Sequence, residues 1–252
     1  MKFARKAIAA VTVSMGLIGG AAGAAPASPA VLDGIDHIYD FYLGGVKAGE
    51  LTMQAKLDGS KYRATSVLRT AGVVGLVYRA AFEARATGRL NEGRLAPRKF
   101  TADSRMKKKK QYVEMTYQDD APGAIKAVPK FQPKPWQIEP TEQSGTLDPI
   151  SAALTALAPT PVASMCNTSV EVFDGRKRYA IDLGAPVADG KRIRCPATYR
   201  RIAGFKPKMM RKERRTWPFD IWYEERKDGL AQVVRAGGET PFGLAVILLR
   251  QN

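Results

Sequence analysis

CNTSVEVFDGRKRYAIDL, Cys166 to Leu183, alternates apolar and polar residues, breaks at Asp174-Gly175, and alternates again with Tyr179, Ile181 and Leu183 on one face. Alternation with period two is the signature of a half-buried strand. Asp-Gly between two such runs is the strongest short-range hairpin signal, because both turn positions need positive φ. The stretch therefore reads as an antiparallel hairpin. It begins at one of the two cysteines of the chain, and the other, Cys195, lies beyond its far end.

Whether those cysteines pair depends on the compartment, and the N-terminus speaks to that. Lys2, Arg5 and Lys6 form a positive region, Ala7 to Ile18 is apolar, and Ala22-Gly23-Ala24 offers a small-residue cleavage site. This is the pattern of a secretory signal over residues 1–24, with an apolar segment too short to span a bilayer. Removing 24 of the 252 residues leaves a mature chain of 228. Two cysteines in an exported chain pair as a rule. A Cys166–Cys195 bridge closes a loop of about 30 residues and contributes roughly 3.5 kcal/mol in the chain-entropy account. Without Cys-x-x-Cys spacing nothing marks the pair as redox-active.

The same alternation extends in both directions. A Pro/Ala-rich lead-in over 25–36 precedes His37 to Leu43, Gly44-Gly45, Val46 to Leu57, Asp58-Gly59 and Tyr62 to Thr70. Gly72 to Tyr78 is apolar throughout, which fits either a bend or a short helix. Phe82 to Leu90 alternates and turns at Asn91-Glu92-Gly93, followed by Pro97 to Asp103 and Lys110 to Tyr117. Beyond the opening hairpin come Ile193 to Ile202, Phe219 to Arg226, a turn at Lys227-Asp228-Gly229, Leu230 to Arg235 and Leu244 to Leu249.

Two segments break the pattern. Residues 119–145 hold Pro122, Pro129, Pro133, Pro135 and Pro140 and read as a long loop or an edge excursion. Asp148 then suits a helix N-cap and Pro149 the first helical position. Ile150, Ala153, Leu154 and Leu157 follow at helical spacing until Pro159. The expectation is a single mainly β domain over 37–252: a curved, largely antiparallel sheet, as an open barrel or β-spiral, with one short helix at one end.

Three of these stretches also carry a likeness. Tyr39 to Gly49, Leu147 to Ser151 and Val172 to Tyr179 resemble, in that order, the exported bacterial proteins grouped as domain of unknown function 3108 (DUF3108). The resemblance implies a periplasmic β-rich protein of a Gram-negative envelope, without an assigned activity. It also implies a loose similarity to curved-sheet envelope proteins such as lipoprotein carriers and β-spiral envelope-integrity proteins.

Residues for catalysis are scarce. His37 is the one histidine, and it is expected just before the first strand as a solvated or capping residue. There is no Gly-x-Ser-x-Gly elbow, no phosphate-cradling glycine loop and no metal-ligand spacing. No cofactor is implied. A carboxylate pair could hydrolyse a glycan without histidine, and Asp174 and Asp182 are the candidates by elimination. Asp174, however, already has a turn to make.

Charge is the more telling feature. The formal net charge of +16 falls to about +13 when Lys2, Arg5 and Lys6 leave with the signal. An exported protein of that charge meets anionic lipid, lipopolysaccharide or an envelope protein, and not nucleic acid. The candidate anion-binding residues are Lys107, Lys108, Lys109 and Lys110 between two strands, and Arg211, Lys212, Arg214 and Arg215 ahead of Trp217. Trp222 and Tyr223 add aromatic neighbours suited to a surface with one apolar and one wet side.

The expected function is a non-enzymatic envelope protein in peripheral membrane contact. It would bind an amphiphile along a groove lined by Met53, Val67, Met115 and Tyr117. A docking scaffold for envelope or peptidoglycan machinery is the alternative, with a glycan hydrolase behind it.

Overall fold

The computed structural model describes residues 32, 34–72, 75, 80–106, 109–211 and 215–250. The expected signal and most of the lead-in lie outside these residues, as does the apolar run 72–78 apart from Gly72 and Gly75. The lead-in ends early, because Leu32 is buried and the first strand starts at Ile35.

Seven strands form an up-and-down meander: β1 (Ile35–Leu43), β2 (Val46–Asp58), β3 (Lys61–Thr70), β4 (Ala80–Asn91), β5 (Arg94–Met106), β6 (Lys109–Gln118) and β7 (Ala121–Val128). After helix α1 (Pro149–Leu157) come β8 (Thr160–Pro161), β9 (Ser169–Phe173), β10 (Arg178–Leu183), β11 (Val187–Asp189) and β12 (Arg192–Ala203). A short helix α2 (Pro207–Arg211) leads to β13 (Thr216–Glu225), β14 (Leu230–Thr240) and β15 (Gly243–Leu249). All strands join one sheet in the order β7-β6-β5-β4-β3-β2-β1-β15-β14-β13-β12-β10-β9, with β11 beside β12 and β8 beside β14. Every strand pairing is antiparallel, and β15 pairs with β1 through Tyr39↔Leu249 and Phe41↔Ile247.

The result is the expected mainly β sheet, curled into a nearly closed barrel. Between its two edges the chain bridges the seam. Gly145 N–H donates to Asp120 O at 3.1 Å, Leu147 N–H to Glu171 O at 2.9 Å, and Phe173 N–H to Leu147 O at 2.9 Å. Across the seam Arg176 also lies over the Phe131 ring, 4.6 Å from its centroid. Residues 121–128, within the proline-rich segment, are the edge strand β7. Pro122 is tolerated there opposite Tyr117, where the register shifts, because an edge strand has one side on which no ladder N–H is needed.

The barrel has two unlike ends. The turns after β2, β4, β6 and β13 lie at one end, and those after β1, β9, β12 and β14 at the other. Helix α1 fills the interior toward the first end, with Ile150, Ser151, Ala152, Leu154 and Leu157 buried. Room for it comes from small inward residues on β2 to β5: Ala55, Ala64, Ser66, Ala84, Ala86 and Ala102 are all buried. Gly88 belongs to the same face. A Cβ there would stand 2.5 Å from the Tyr62 ring and 2.3 Å from Ala96 O, so only glycine lets that ring lie across β4.

Cys166 and Cys195 form the expected disulfide, with Cα atoms 5.6 Å apart. It ties the chain ahead of β9 to the first part of β12, so the β9–β10 hairpin lies between its anchors.

Candidate ligand groove and basic rim

Helix α1 occupies one half of the barrel interior, and in the other half the inward side chains line an open apolar groove of about 520 Å³. Phe41 of β1, Tyr199 of β12, Trp217 and Phe219 of β13, Ala236 of β14 and Ile247 of β15 converge on it. They do so because alternate residues of neighbouring strands share a face: Phe41 opposes Ile247, Ile247 opposes Ala236, and Tyr199 opposes Trp217. Tyr199 meets Trp217 edge-on at 5.7 Å and leans on Tyr179 at 5.0 Å. Burial raises the Tyr199 phenol pKa, so it stays a neutral donor. Gly238 belongs to this wall, and a Cβ on it would come within 2.7 Å of the Phe219 Cβ. The groove is wide and shallow, mostly apolar, with Glu239 and Thr240 among its few polar groups.

The groove is not where the sequence reading placed it. Met53, Met115 and Tyr117 do face inward, but they are buried in the packed core around α1 rather than exposed to a ligand. Val67 is on the outer face, since its neighbours Ser66 and Leu68 oppose the inward Met53 and Leu51. Deep in that filled half sits a polar cluster. Asp148 is fully buried and accepts from Ile150 N–H at 2.9 Å, Ser151 N–H at 3.0 Å and the Ser151 hydroxyl at 2.5 Å. Loss of solvation nevertheless pushes its carboxyl up to about 6. The Tyr62 and Ser151 hydroxyls meet at 2.6 Å. The Tyr117 hydroxyl is buried without a well-formed hydrogen bond, and burial raises its pKa.

The predicted basic residues divide. Lys109 and Lys110 open β6 at the groove end and are exposed, and Arg211 and Arg215 are exposed on the β12–β13 connection at that same end. Lys107, Lys108, Lys212 and Arg214 lie outside the described residues. Trp217 joins them, with the Arg201 guanidinium 4.1 Å above its ring. Trp222 and Tyr223 do not. Trp222 points outward and donates to Asp189 Oδ2 at 2.7 Å under the Arg235 guanidinium, while Tyr223 is core, its hydroxyl donating to Ala156 O at 3.4 Å. Alternation along β13 separates them: Trp217, Phe219, Ile221 and Tyr223 point in, and Trp222 points out.

Sequence reading missed half of the rim. Arg176 and Lys177 on the β9–β10 turn, Lys206 just before α2 and Lys208 within it are exposed between the clusters it singled out. Asp174 is tied into the turn itself, its Oδ1 accepting from Arg176 N–H at 2.9 Å and Lys177 N–H at 2.8 Å. The turns at the plugged end are mixed, with Asp58, Glu92, Asp119, Asp120, Asp189 and Asp228 interleaved with Lys61, Arg94, Lys191, Arg226 and Lys227. Chain order could have shown the basic arc, but only strand pairing shows that residues 109–110, 176–177, 206–211 and 215 lie at one end.

The residues weighed for chemistry are engaged elsewhere. His37 lies within β1, not before it, facing inward opposite Met53 with Gln232 Nε2 3.5 Å from its Nδ1. Burial is the main cause that lowers its pKa, so the imidazole is neutral. Asp182 is held by Arg200 Nε at 2.9 Å and the Ser169 hydroxyl at 2.6 Å. The run of β10 between the Asp174 turn and Asp182 spans roughly 13 Å at the usual rise per residue, beyond the separation a carboxylate pair needs. Among the described residues, no three His, Cys, Asp or Glu side chains are grouped to hold a metal ion, and no helix is long and apolar enough to cross a membrane.

A family model described as "Protein of unknown function (DUF3108)" matches residues 38–250. The chain belongs to the DUF3108 family. No curated protein matches it. Among solved structures, the crystal structure of a beta-barrel-like protein of domain of unknown function DUF1849 from Brucella abortus is similar at 12% identity and a TM-score of 0.47, over 87% of this chain and 97% of that one.

In this DUF3108 chain the three stretches that carried the resemblance have structural tasks. Tyr39 to Gly49 is the β1–β2 hairpin and supplies Phe41 to the groove. Leu147 to Ser151 bridges the seam and caps α1. Val172 to Tyr179 is the β9–β10 turn, with Arg176 and Lys177 on the rim.

Proposed function

We propose that this protein is a non-enzymatic periplasmic component of the cell envelope that holds the apolar part of an amphiphile in the groove at the open end of the barrel. The observation that carries the reading is the aromatic groove at the basic end of the barrel: Phe41, Trp217 and Phe219 line the groove beside Glu239, and Lys177, Arg211 and Arg215 are exposed at the same end. An apolar chain inside and an anionic headgroup outside match that division, since guanidinium and ammonium groups recognise phosphate oxygens. The secretory pattern at residues 1–24 and the disulfide favour an oxidising compartment.

The test is native mass spectrometry of the full-length product purified from its own host's envelope, followed by titration with a fluorescent lysophospholipid. Carriage predicts a bound lipid mass and saturable uptake that Ala245→Trp, which fills the groove mouth, abolishes. A ligand-free protein that takes up no lysophospholipid would remove the reading. Docking of a partner strand has less support, because the outer edge of β9 already pairs with Leu147.

A further inference from the structure

Of the eight large apolar side chains exposed among the described residues, five gather at one end of the barrel, while Leu68, Val187 and Leu248 lie elsewhere on β3, β11 and β15. Phe242, Val46 and Leu244 are 81%, 51% and 46% exposed, and all three belong to the β14–β15 and β1–β2 tips at the open end. Met106 and Val128, also exposed, sit where β5 and β7 reach the same rim. Soluble monomers seldom gather large apolar side chains in this way without a surface to meet.

The tip that carries Phe242 is built firmly. The Thr240 hydroxyl donates to Gly243 O at 2.6 Å and accepts from Phe242 N–H at 3.2 Å. Gly44 N–H donates to Leu244 O at 2.9 Å, which fastens the two tips side by side. Phe242 is therefore held out by a braced turn rather than left on a loose end. Following the sheet order around the rim from β14–β15, one reaches the β12–β13 connection with Lys206, Lys208 and Arg211, then Arg176 and Lys177, then Lys109 and Lys110. The apolar tip and the basic arc share one end of the molecule.

We propose that this end is a docking surface for an anionic phospholipid bilayer, with Phe242 entering the interface between headgroups and acyl chains while the basic arc rests on the lipid phosphates. Charge selects the occupant. A protein partner would need an acidic face of its own, whereas a bilayer containing anionic lipid offers phosphates along the whole arc, each Lys or Arg near it strengthening binding roughly fivefold. Docking in this orientation places the groove mouth against the membrane, yet it requires no ligand in the groove and can be measured without one.

Full-length mature protein is sedimented with vesicles of phosphatidylglycerol and phosphatidylethanolamine, and with vesicles of phosphatidylcholine alone, at about 0.05 M and 0.5 M salt, where screening lengths differ severalfold. The expected result is retention on the anionic vesicles at low salt, tenfold or more weaker on phosphatidylcholine or at high salt. Phe242→Asp and the pair Lys206→Glu, Lys208→Glu each reduce retention at least tenfold with unchanged near-UV circular dichroism. Lys61→Glu with Lys191→Glu at the opposite end has little effect, and Ala245→Trp, which tests the groove alone, retains full vesicle binding. Equal retention on both vesicle types, or no loss with Phe242→Asp and the Lys206/Lys208 pair, would overturn the proposal. So would a dimer that Phe242→Asp converts to monomer, since a second copy would then cover this face.

Discussion

The Tyr62 hydroxyl stands 2.6 Å from the Ser151 hydroxyl, joining the wall of the barrel to the helix inside it. The contact depends on Gly88, which leaves the Tyr62 ring its path across β4. Tyr62→Phe removes one buried hydrogen bond and should cost about 1 kcal/mol. Gly88→Ala must displace the ring or the Ala96 backbone and should cost more, roughly 1–3 kcal/mol. Urea denaturation of the two variants orders them.

Asp148 gives stability a pH dependence of unusual sign for a carboxylate. Its folded pKa lies near 6, above the ordinary aspartate value of 3.8, so the folded state binds this proton more tightly than the unfolded chain does. The contribution of this group is therefore most favourable below about pH 4, falls as pH rises between 4 and 6, and is level above that. Two pKa units correspond to roughly 3 kcal/mol. Asp148→Asn, whose carbonyl oxygen still caps the helix, should abolish that component. The difference between wild-type and variant melting curves from pH 4 to 7 isolates it from the partly buried carboxylates Asp40 and Glu50, whose pKa values are lowered because hydrogen bonds from Arg250 and Lys47 outweigh desolvation, and which act in the opposite direction.

Reduction of the Cys166–Cys195 bridge, or its replacement by serines, should destabilise the protein by about 3.5 kcal/mol, from a sequence separation of 29 residues. Guanidinium unfolding with and without reductant measures it. An unchanged midpoint would mean that the β9–β10 hairpin keeps its place without help.

Trp217 makes the groove optically readable. In a Trp136→Phe, Trp222→Phe background, a lysophospholipid that enters the groove should shift Trp217 emission to the blue, and Arg201, lying over the same ring, should not prevent it. Emission that stays constant while lipid binds would place the lipid elsewhere.

Much of this architecture could be read before any coordinates. Asp58-Gly59, Asn91-Glu92-Gly93, Asp174-Gly175 and Lys227-Asp228-Gly229 all mark turns between strands, and Asp148-Pro149 opens α1. These are local signals, fixed by φ requirements and capping, and they survive folding. Strand β7 was obscured because prolines argue against strands without saying whether an edge is available. The groove was misplaced for a related reason. Alternation correctly put Met53, Met115 and Tyr117 on the inner face, but the choice of half that α1 fills depends on which strands carry alanine and glycine opposite it. The grouping of Lys109, Arg176, Lys208 and Phe242 at one rim follows from strand pairing over long separations, which no local pattern encodes.

Because Tyr39 pairs with Leu249 and Phe41 with Ile247, the first strand acquires its second neighbour only from the last one. The meander from β1 to β7 can assemble from short-range contacts, but β1 keeps a bare flank of amides and carbonyls until some two hundred further residues have arrived. A polypeptide halted before β15 would present that flank as a template for another chain, so completing synthesis is also what protects the nascent molecule from aggregation.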